Sequence, residues 1–225
     1  FCIFCVSAPA AEVLASGPVL TKVVVVSRHG VRSPTQARHT LEEWSARKWP
    51  QWPAPRGHLT ARGAWLVNMQ WSVLGSWFRE KGLLPQGCPH AGDIWVHADV
   101  DQRTRATAKA VLDGLASGCG LPYVYSGQDV DAVFHPLKAG LCALDEQRVR
   151  RDILLDSGGL RGLERDLGPA LALINKIAGP AAPKLCAQYG VKSPCFASAL
   201  PSRLVFSPKR DKTGINGGLG IASSL

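Results

Sequence analysis

The sequence predicts an α/β fold: a parallel sheet with helices on its faces, continued by a helical region that leaves the sheet incomplete. Three observations carry this. Residues 19 to 27, Val19-Leu20-Thr21-Lys22-Val23-Val24-Val25-Val26-Ser27, form a β-branched run without alternation, the pattern of a strand buried on both faces of a parallel sheet. The segments after it alternate as loop, helix, strand, loop, helix, strand, an order that lays helices on a parallel sheet. From about residue 137 onward strand patterns stop, and helices separated by Gly and Pro take over.

The N-terminus, Phe1-Cys2-Ile3-Phe4-Cys5-Val6-Ser7 followed by Ala8-Pro9-Ala10-Ala11, has the apolar core and small-residue A-x-A end of a secretory signal peptide. Residues 1–10 are expected to be its remnant, cleaved after Ala10. Cys2 and Cys5 could instead form a C-x-x-C redox or metal pair, which needs a βαβ context or a second ligand pair nearby. Residues 37–58 are polar, with Trp44, Trp49 and Trp52 among Pro50, Pro53 and Pro55, and predict an irregular segment anchored by packed indoles, with an aromatic ladder for a ligand as the alternative. Thr60 is a candidate N-cap for a helix over 60–81 that ends at Gly82. Trp65, Met69, Leu74 and Phe78 fall near helical spacing along it.

Ile94-Trp95-Val96-His97-Ala98 predicts a second strand, 101–117 a second long helix, and Leu121–Tyr125 a third strand. Helices are then expected over 143–155, 159–178 and 181–190, and a Gly-rich one from Thr213 to Leu225. Cys186 and Cys195 lie nine apart in a loop-like stretch with Pro194, where a local disulfide is plausible. Cys88 and Cys119 flank a strand–helix unit and could staple its ends, leaving Cys142 over. No Cys/His cluster has zinc spacing.

The chain carries a formal net charge of +9, which suits phosphate compounds, nucleic acid or an anionic surface, or simply keeps molecules apart. No apolar run approaches the roughly 18 residues of a membrane-spanning helix. Arg148, Arg150 and Arg151 are the only tight basic group, and no nucleic-acid recognition motif occurs.

Directly after the first apolar run stands Ser27-Arg28-His29-Gly30-Val31-Arg32-Ser33-Pro34. Ligands of open α/β sheets bind beyond the carboxyl ends of strands, so His29 falls where a substrate would. A neutral imidazole is a competent nucleophile toward phosphorus, and its ordinary pKa near 6.5 keeps it available in mildly acidic medium. Arg28 and Arg32 present planar forks that match phosphate oxygens. Gly30 lets the backbone pass close to a bound group. Fixed positive charge stabilises a transferring phosphoryl group.

With R-H-G-x-R-x-P in this context, the sequence resembles the histidine acid phosphatases, the branch of the histidine phosphatase superfamily that includes bacterial periplasmic phytases. Further motifs fit: Gly57-His58-Leu59-Thr60-Ala61-Arg62-Gly63, Gly87-Cys88-Pro89, Ala98-Asp99-Val100-Asp101-Gln102-Arg103-Thr104, Phe134-His135-Pro136-Leu137 and the 186/195 cysteine pair. The resemblance spans roughly residues 20 to 225. It implies a phosphoglycerate-mutase-like parallel-sheet domain over 19–136 and an inserted helical domain, incomplete, over 137–225. By the same resemblance His29 is the nucleophile that forms a phosphohistidine, and Arg28, Arg32 and Arg103 clamp the phosphate. Thr35 and Gln36 contact substrate, while Asp99 and Asp101 orient an arginine or shape the pocket. The family's phytases often carry Lys where this chain has Gln36, which argues against a specifically phytase-type pocket.

The largest departure concerns the family's second motif, a C-terminal His-Asp pair whose Asp acts as general acid. No His follows His135, so the chain is expected to be C-terminally truncated, with the partner of Cys142 in the missing part. General acid catalysis contributes about 10²–10⁴-fold, so the chain alone is expected to be poorly folded or nearly inactive.

The expected protein is therefore a periplasmic or secreted acid phosphomonoesterase acting on phytate, sugar phosphates or other small monoesters. It is expected to be a monomer at full length, with no cofactor, metal, nucleic-acid or membrane partner. Two other readings remain: a phosphoglycerate-mutase-like phosphotransferase, or a non-catalytic remnant that binds polyanions.

Overall fold

The computed structural model describes residues 19–207 and 212–225; the expected signal remnant, with Cys2 and Cys5, lies outside them. The two long predicted helices are the frame. Helix α2 (Ala61–Glu80) begins where Thr60 Oγ1 accepts the Gly63 N–H at 2.9 Å, and Gly82 follows it with φ 72°. Helix α3 (Gln102–Leu115) packs along it. The two backbones come so close that a Cβ on Gly114 would stand 2.4 Å from the Asn68 carbonyl oxygen.

The buried stripe of α2 is Gly63, Val67, Trp71 and Gly75, at strict i, i+4 spacing. Trp65 and Met69, which the sequence placed on the apolar face, are exposed, whereas Leu74 and Phe78 pack at the margin of the core. Gly75 permits the close approach of α3 from this face, since a Cβ there would stand 2.9 Å from the Leu115 carbonyl oxygen. Val67, Trp71, Leu84, Ala110, Val111 and Leu115 form this core, with Ile94 and Val96 against it.

Strands β1 (His97–Ala98) and β2 (Val124–Tyr125) pair in parallel, His97 opposite Val124. The β1–α3–β2 unit is the expected parallel crossover, but each ladder is shorter than its apolar run. The predicted strand over 19–27 does not form a ladder. These residues carry no regular secondary structure, and Val24 and Val26 are 84% and 95% exposed. Strand propensity in Val measures fit to a covered sheet, and no described strand pairs with this run.

Helix α1 (Arg38–Trp44) forms inside the segment expected to be irregular. It is fixed from outside: the Ala182 N–H donates to the Glu43 carbonyl at 2.9 Å, and the Ala46 N–H to the Pro180 carbonyl at 2.8 Å. Trp44 packs on a second core built from Ala181, Leu185, Cys186, Cys195, Ala197, Leu200 and Ile221. The Cys186–Cys195 disulfide lies at its centre, and Cys88–Cys119 closes the other expected bridge. Cys142 is the free cysteine among the described residues, and it is exposed.

Beyond 137 come α4 (Glu146–Asp156), α5 (Gly159–Asp166), α6 (Gly168–Ala178) and α7 (Pro183–Gln188). The helix expected over 159–178 is two helices. Pro169, in the first turn of α6, has no N–H for the carbonyl four residues back, which ends α5 there. Strands do not stop at 137 either: β3 (Arg203–Ser207) and β4 (Lys212–Asn216) pair antiparallel, Leu204 opposite Ile215. The expected Thr213–Leu225 helix is therefore only α8 (Gly218–Ala222), starting after Gly217 with φ 86°. Gly214 and Asn216 are poor strand formers, and the partner strand overrides them. In the Arg148, Arg150 and Arg151 cluster of α4, Arg148 and Arg151 are exposed and Arg150 is half-buried against the Leu204 carbonyl, with each arginine within 4.0 Å of Asp152 or Glu146.

Candidate active site

The loop after residue 27 is held by the segment that leads into α2. Residues 31–34 run antiparallel to 57–60, with a bridge between Arg32 and Leu59. The Ser33 N–H donates to the His58 carbonyl, the Gly57 N–H to the Pro34 carbonyl and the Thr60 N–H to the Val31 carbonyl, each at 3.0 Å. Thr60 Oγ1 donates to the same Val31 oxygen at 2.9 Å, and the buried Ser33 hydroxyl donates to the Pro55 carbonyl. The Gly57–Gly63 motif is thus the brace of the histidine loop. Built Cβ atoms on Gly30 and Gly63 would come within 2.7 Å of Val67 Cγ2 and 2.0 Å of the Val31 carbonyl oxygen, so both glycines are set by close approach.

His29 Nδ1 donates to the Gly30 carbonyl at 2.8 Å. That bond leaves Nε2 as the ring nitrogen with the lone pair, and Arg32 Nε donates toward it at 3.4 Å. Burial is the largest influence on the ring and lowers its pKa below 6.5; Arg32, Arg103 and Arg28 lower it further, against the Gly30 bond. A neutral imidazole with a directed Nε2 lone pair is the form a nucleophile needs. Arg32 also loses basicity, through burial first and then through the Arg103 and Arg28 charges, but a guanidinium stays protonated in proteins. Three guanidinium groups therefore act on one imidazole, an arrangement that favours an incoming anion.

Arg28, His29, Arg32 and Gln36 line a cavity of about 510 Å³ with Trp49, Trp52, Leu66, Val67 and Gln70. Trp49 is fixed by its Nε1–H, which donates to the Leu41 carbonyl at 2.9 Å. The indoles that the sequence assigned to packing thus also wall the cavity. No Asp or Glu side chain lines it among the described residues.

Arg103 does not line that cavity. It stands in the first turn of α3, ion-paired with Asp101, close enough for its charge to act on both His29 and Arg32. Thr35, Asp99 and Asp101 also lie off the cavity wall. Thr35 Oγ1 donates to Gln36 Oε1 at 3.1 Å, and the Asp99 carboxylate turns to His135 at 3.0 Å.

A residue that sequence reasoning missed ties these parts together. The Gly30 N–H donates to the buried Thr107 Oγ1 at 3.1 Å, and that hydroxyl donates to the Arg103 carbonyl at 2.7 Å. Thr107 thereby couples the backbone beside His29 to the turn that carries Arg103. Its only sequence signal is a threonine on the buried face of a helix, and threonine commonly bonds back one turn without further role. Among the described residues, no group of three or more His, Cys, Asp or Glu side chains could hold a metal ion.

The histidine loop with Arg28 and Arg32, the nearby Arg103 of α3 and the parallel βαβ unit define an α/β protein with three guanidinium groups around one imidazole. The chain belongs to the histidine phosphatase superfamily (branch 2), whose model matches residues 19–162. It is 36% identical over 217 residues to the phytase AppA of Escherichia coli, covering 92% of this chain and 49% of that protein. It is 31% identical over 135 residues to a glucose-1-phosphatase of Salmonella typhimurium, covering 58% of this chain and 33% of the other.

Among solved structures, the Citrobacter braakii phytase superposes with a TM-score of 0.77 at 34% identity, over 92% of this chain and 51% of that one. The Hafnia alvei phytase in complex with myo-inositol hexakis sulphate gives 0.73 at 35% identity, over 87% and 48%. The chain thus spans about half the length of the relatives it matches.

Proposed function

We propose that this chain carries the nucleophile and phosphate-binding parts of an acid phosphomonoesterase that works through a covalent phosphohistidine. The observation that carries this is the pinned His29 ring, with Nδ1–H given to the Gly30 carbonyl and Nε2 turned toward Arg32. Arg28, Arg32 and Arg103 take the phosphate oxygens and displace the Arg32–Nε2 contact. Nε2 then attacks phosphorus, the ester P–O bond breaks, and the leaving oxygen takes a proton. Water attacks the phosphohistidine, releasing inorganic phosphate and restoring the imidazole. Positive charge fixed before the reaction offsets the charge spreading over the transferring oxygens.

Substrates of this chemistry are small monoesters carried on a polyol or sugar. Relatives bear the names phytase and glucose-1-phosphatase, and the neutral Gln36, on the cavity wall with Arg28 and Arg32, fits a hydroxyl of such a polyol or sugar beside the phosphate. Two disulfides suit a periplasmic or secreted protein, since such bonds persist in oxidising compartments.

The test is to incubate the protein with a nitrophenyl phosphate labelled on phosphorus, quench rapidly, and look for acid-labile, base-stable label. This leaving group departs as a phenolate without needing a proton, so the readout does not depend on the general acid. Label that maps to the peptide holding His29 and vanishes in His29→Ala is expected. Label that survives His29→Ala overturns the assignment.

A further inference from the structure

Two histidine–aspartate pairs join the end of β1 to the turn over 131–139, and the proposed chemistry uses neither. His97 Nε2 meets Asp131 Oδ2 at 2.8 Å, and His135 Nε2 meets Asp99 Oδ2 at 3.0 Å. The strand side supplies His97 and Asp99; the turn supplies Asp131 and His135, linked by the His135 N–H donating to the Asp131 carbonyl at 2.8 Å.

The pairs differ in what lies behind them. Asp131 is 3% exposed and spends its other oxygen on the Val133 N–H at 2.9 Å, so it braces β1. Asp99 leads onward. Its carbonyl and that of Asp101 both accept from Thr104 Oγ1 at 2.7 Å, and the Asp101 carboxylate pairs with Arg103. Continuous contacts therefore run from the His135 ring, through the 99–104 loop, to the Arg103 guanidinium. On the guanidinium itself, Nε is buried without a hydrogen-bond partner, so the direction of the fork depends on the loop beneath it.

We propose that His135 is a positioning residue for Arg103: by holding Asp99 it fixes the loop that aims this guanidinium at the phosphate. The inference rests on Arg103 being part of the phosphate clamp. Charge-assisted hydrogen bonds are roughly twice as strong as neutral ones, and a guanidinium binds oxyanions by a planar fork whose direction matters. A loosened loop therefore costs anion affinity before it costs fold.

The test titrates inorganic phosphate into the protein by calorimetry and follows thermal unfolding of each variant alongside. His135→Phe keeps the ring volume and loses the hydrogen bond; it is expected to weaken phosphate binding about tenfold. His135→Gln, which retains an N–H donor, should recover most of that loss. In an Arg103→Ala background the His135→Phe effect should vanish, since residues acting through one another are non-additive. His97→Ala should lower the unfolding temperature and leave phosphate affinity unchanged.

If Arg103→Ala itself leaves phosphate affinity unaltered, the clamp assignment fails. If Arg103→Ala weakens binding but His135→Phe does not, or the two effects simply add, only the role of His135 is overturned. Equal losses in affinity for His97→Ala and His135→Phe would likewise reduce His135 to a general brace.

Discussion

Gly63→Ala is the sharpest perturbation of the histidine loop that leaves every functional side chain in place. The added Cβ would stand 2.0 Å from the Val31 carbonyl oxygen and 2.9 Å from Val31 C and N. Side-chain carbons are essentially never closer than 3.0 Å to such atoms, so residues 30–32 must move away from α2 by at least about 1 Å. The same carbonyl accepts both the Thr60 N–H at 3.0 Å and the Thr60 hydroxyl at 2.9 Å. Each such bond contributes about 0.5–1.5 kcal/mol net, and an overpacked methyl costs about 1–3 kcal/mol. The expected destabilisation is therefore roughly 2–6 kcal/mol, read as a lower denaturant midpoint.

His29 lies two residues before Val31, and a displacement near 1 Å at a reacting group costs on the order of a hundredfold in rate. Phosphohistidine formation should fall by about that factor even where the variant is folded. Gly92→Ala is the control, because its Cβ would meet nothing within 4 Å, and it should match the parent in both assays. A Gly63→Ala protein with unchanged midpoint and unchanged labelling rate would refute the close-packing account of the loop.

Two further outcomes follow from the same geometry. Because burial first and then three guanidinium charges lower the His29 pKa below 6.5, the ring should titrate below that value by NMR. Arg28→Gln should move the midpoint upward. The folded state then binds fewer protons at this site than the unfolded chain. His29 therefore makes stability rise with pH between its folded pKa and 6.5, and the nucleophile stays neutral further into acid than a free histidine; a midpoint at or above 6.5 would contradict this. The Cys88–Cys119 bridge spans 31 residues with Cys88 on the surface. Replacing both cysteines by serine should cost about 3.5 kcal/mol through chain entropy, and a loss under about 1 kcal/mol by chemical denaturation would show that the bridge restrains little.

Much of the site was legible without coordinates because its information is local. Arg28, His29, Gly30 and Arg32 fall within five consecutive positions, and their chemistry follows from residue type and spacing. Thr60 as a cap, Gly82 as a stop and the apolar content between them similarly locate α2, since capping and periodicity act within a few residues. The parallel β1–α3–β2 unit follows from the order of elements alone, although each ladder is shorter than its apolar run.

What failed to read from sequence depends on partners far along the chain. Val19 to Val26 carry strong strand propensity, yet a strand is an act of pairing, and no described strand pairs with this run. Lys212 to Asn216 has weak propensity and pairs anyway, because Arg203 to Ser207 offers it a complementary edge. Trp65 and Met69 look like core and are not. The face that meets α3 is the one where Gly75, opposite Leu115, and Gly114 of α3, opposite Asn68, let two backbones nearly touch.

In the site itself, the resemblance assigned Arg103 to the phosphate. Only the tertiary structure placed it on the α3 turn rather than the cavity wall, tied to the backbone beside His29 through Thr107. The carboxylate of Asp99, which by resemblance orients an arginine or shapes the pocket, is held by His135, thirty-six positions away. Sequence determined which groups are present and how adjacent residues are held. Long-range hydrogen bonds and close packing decided which of them face one another, because those contacts join residues whose separation leaves no local pattern.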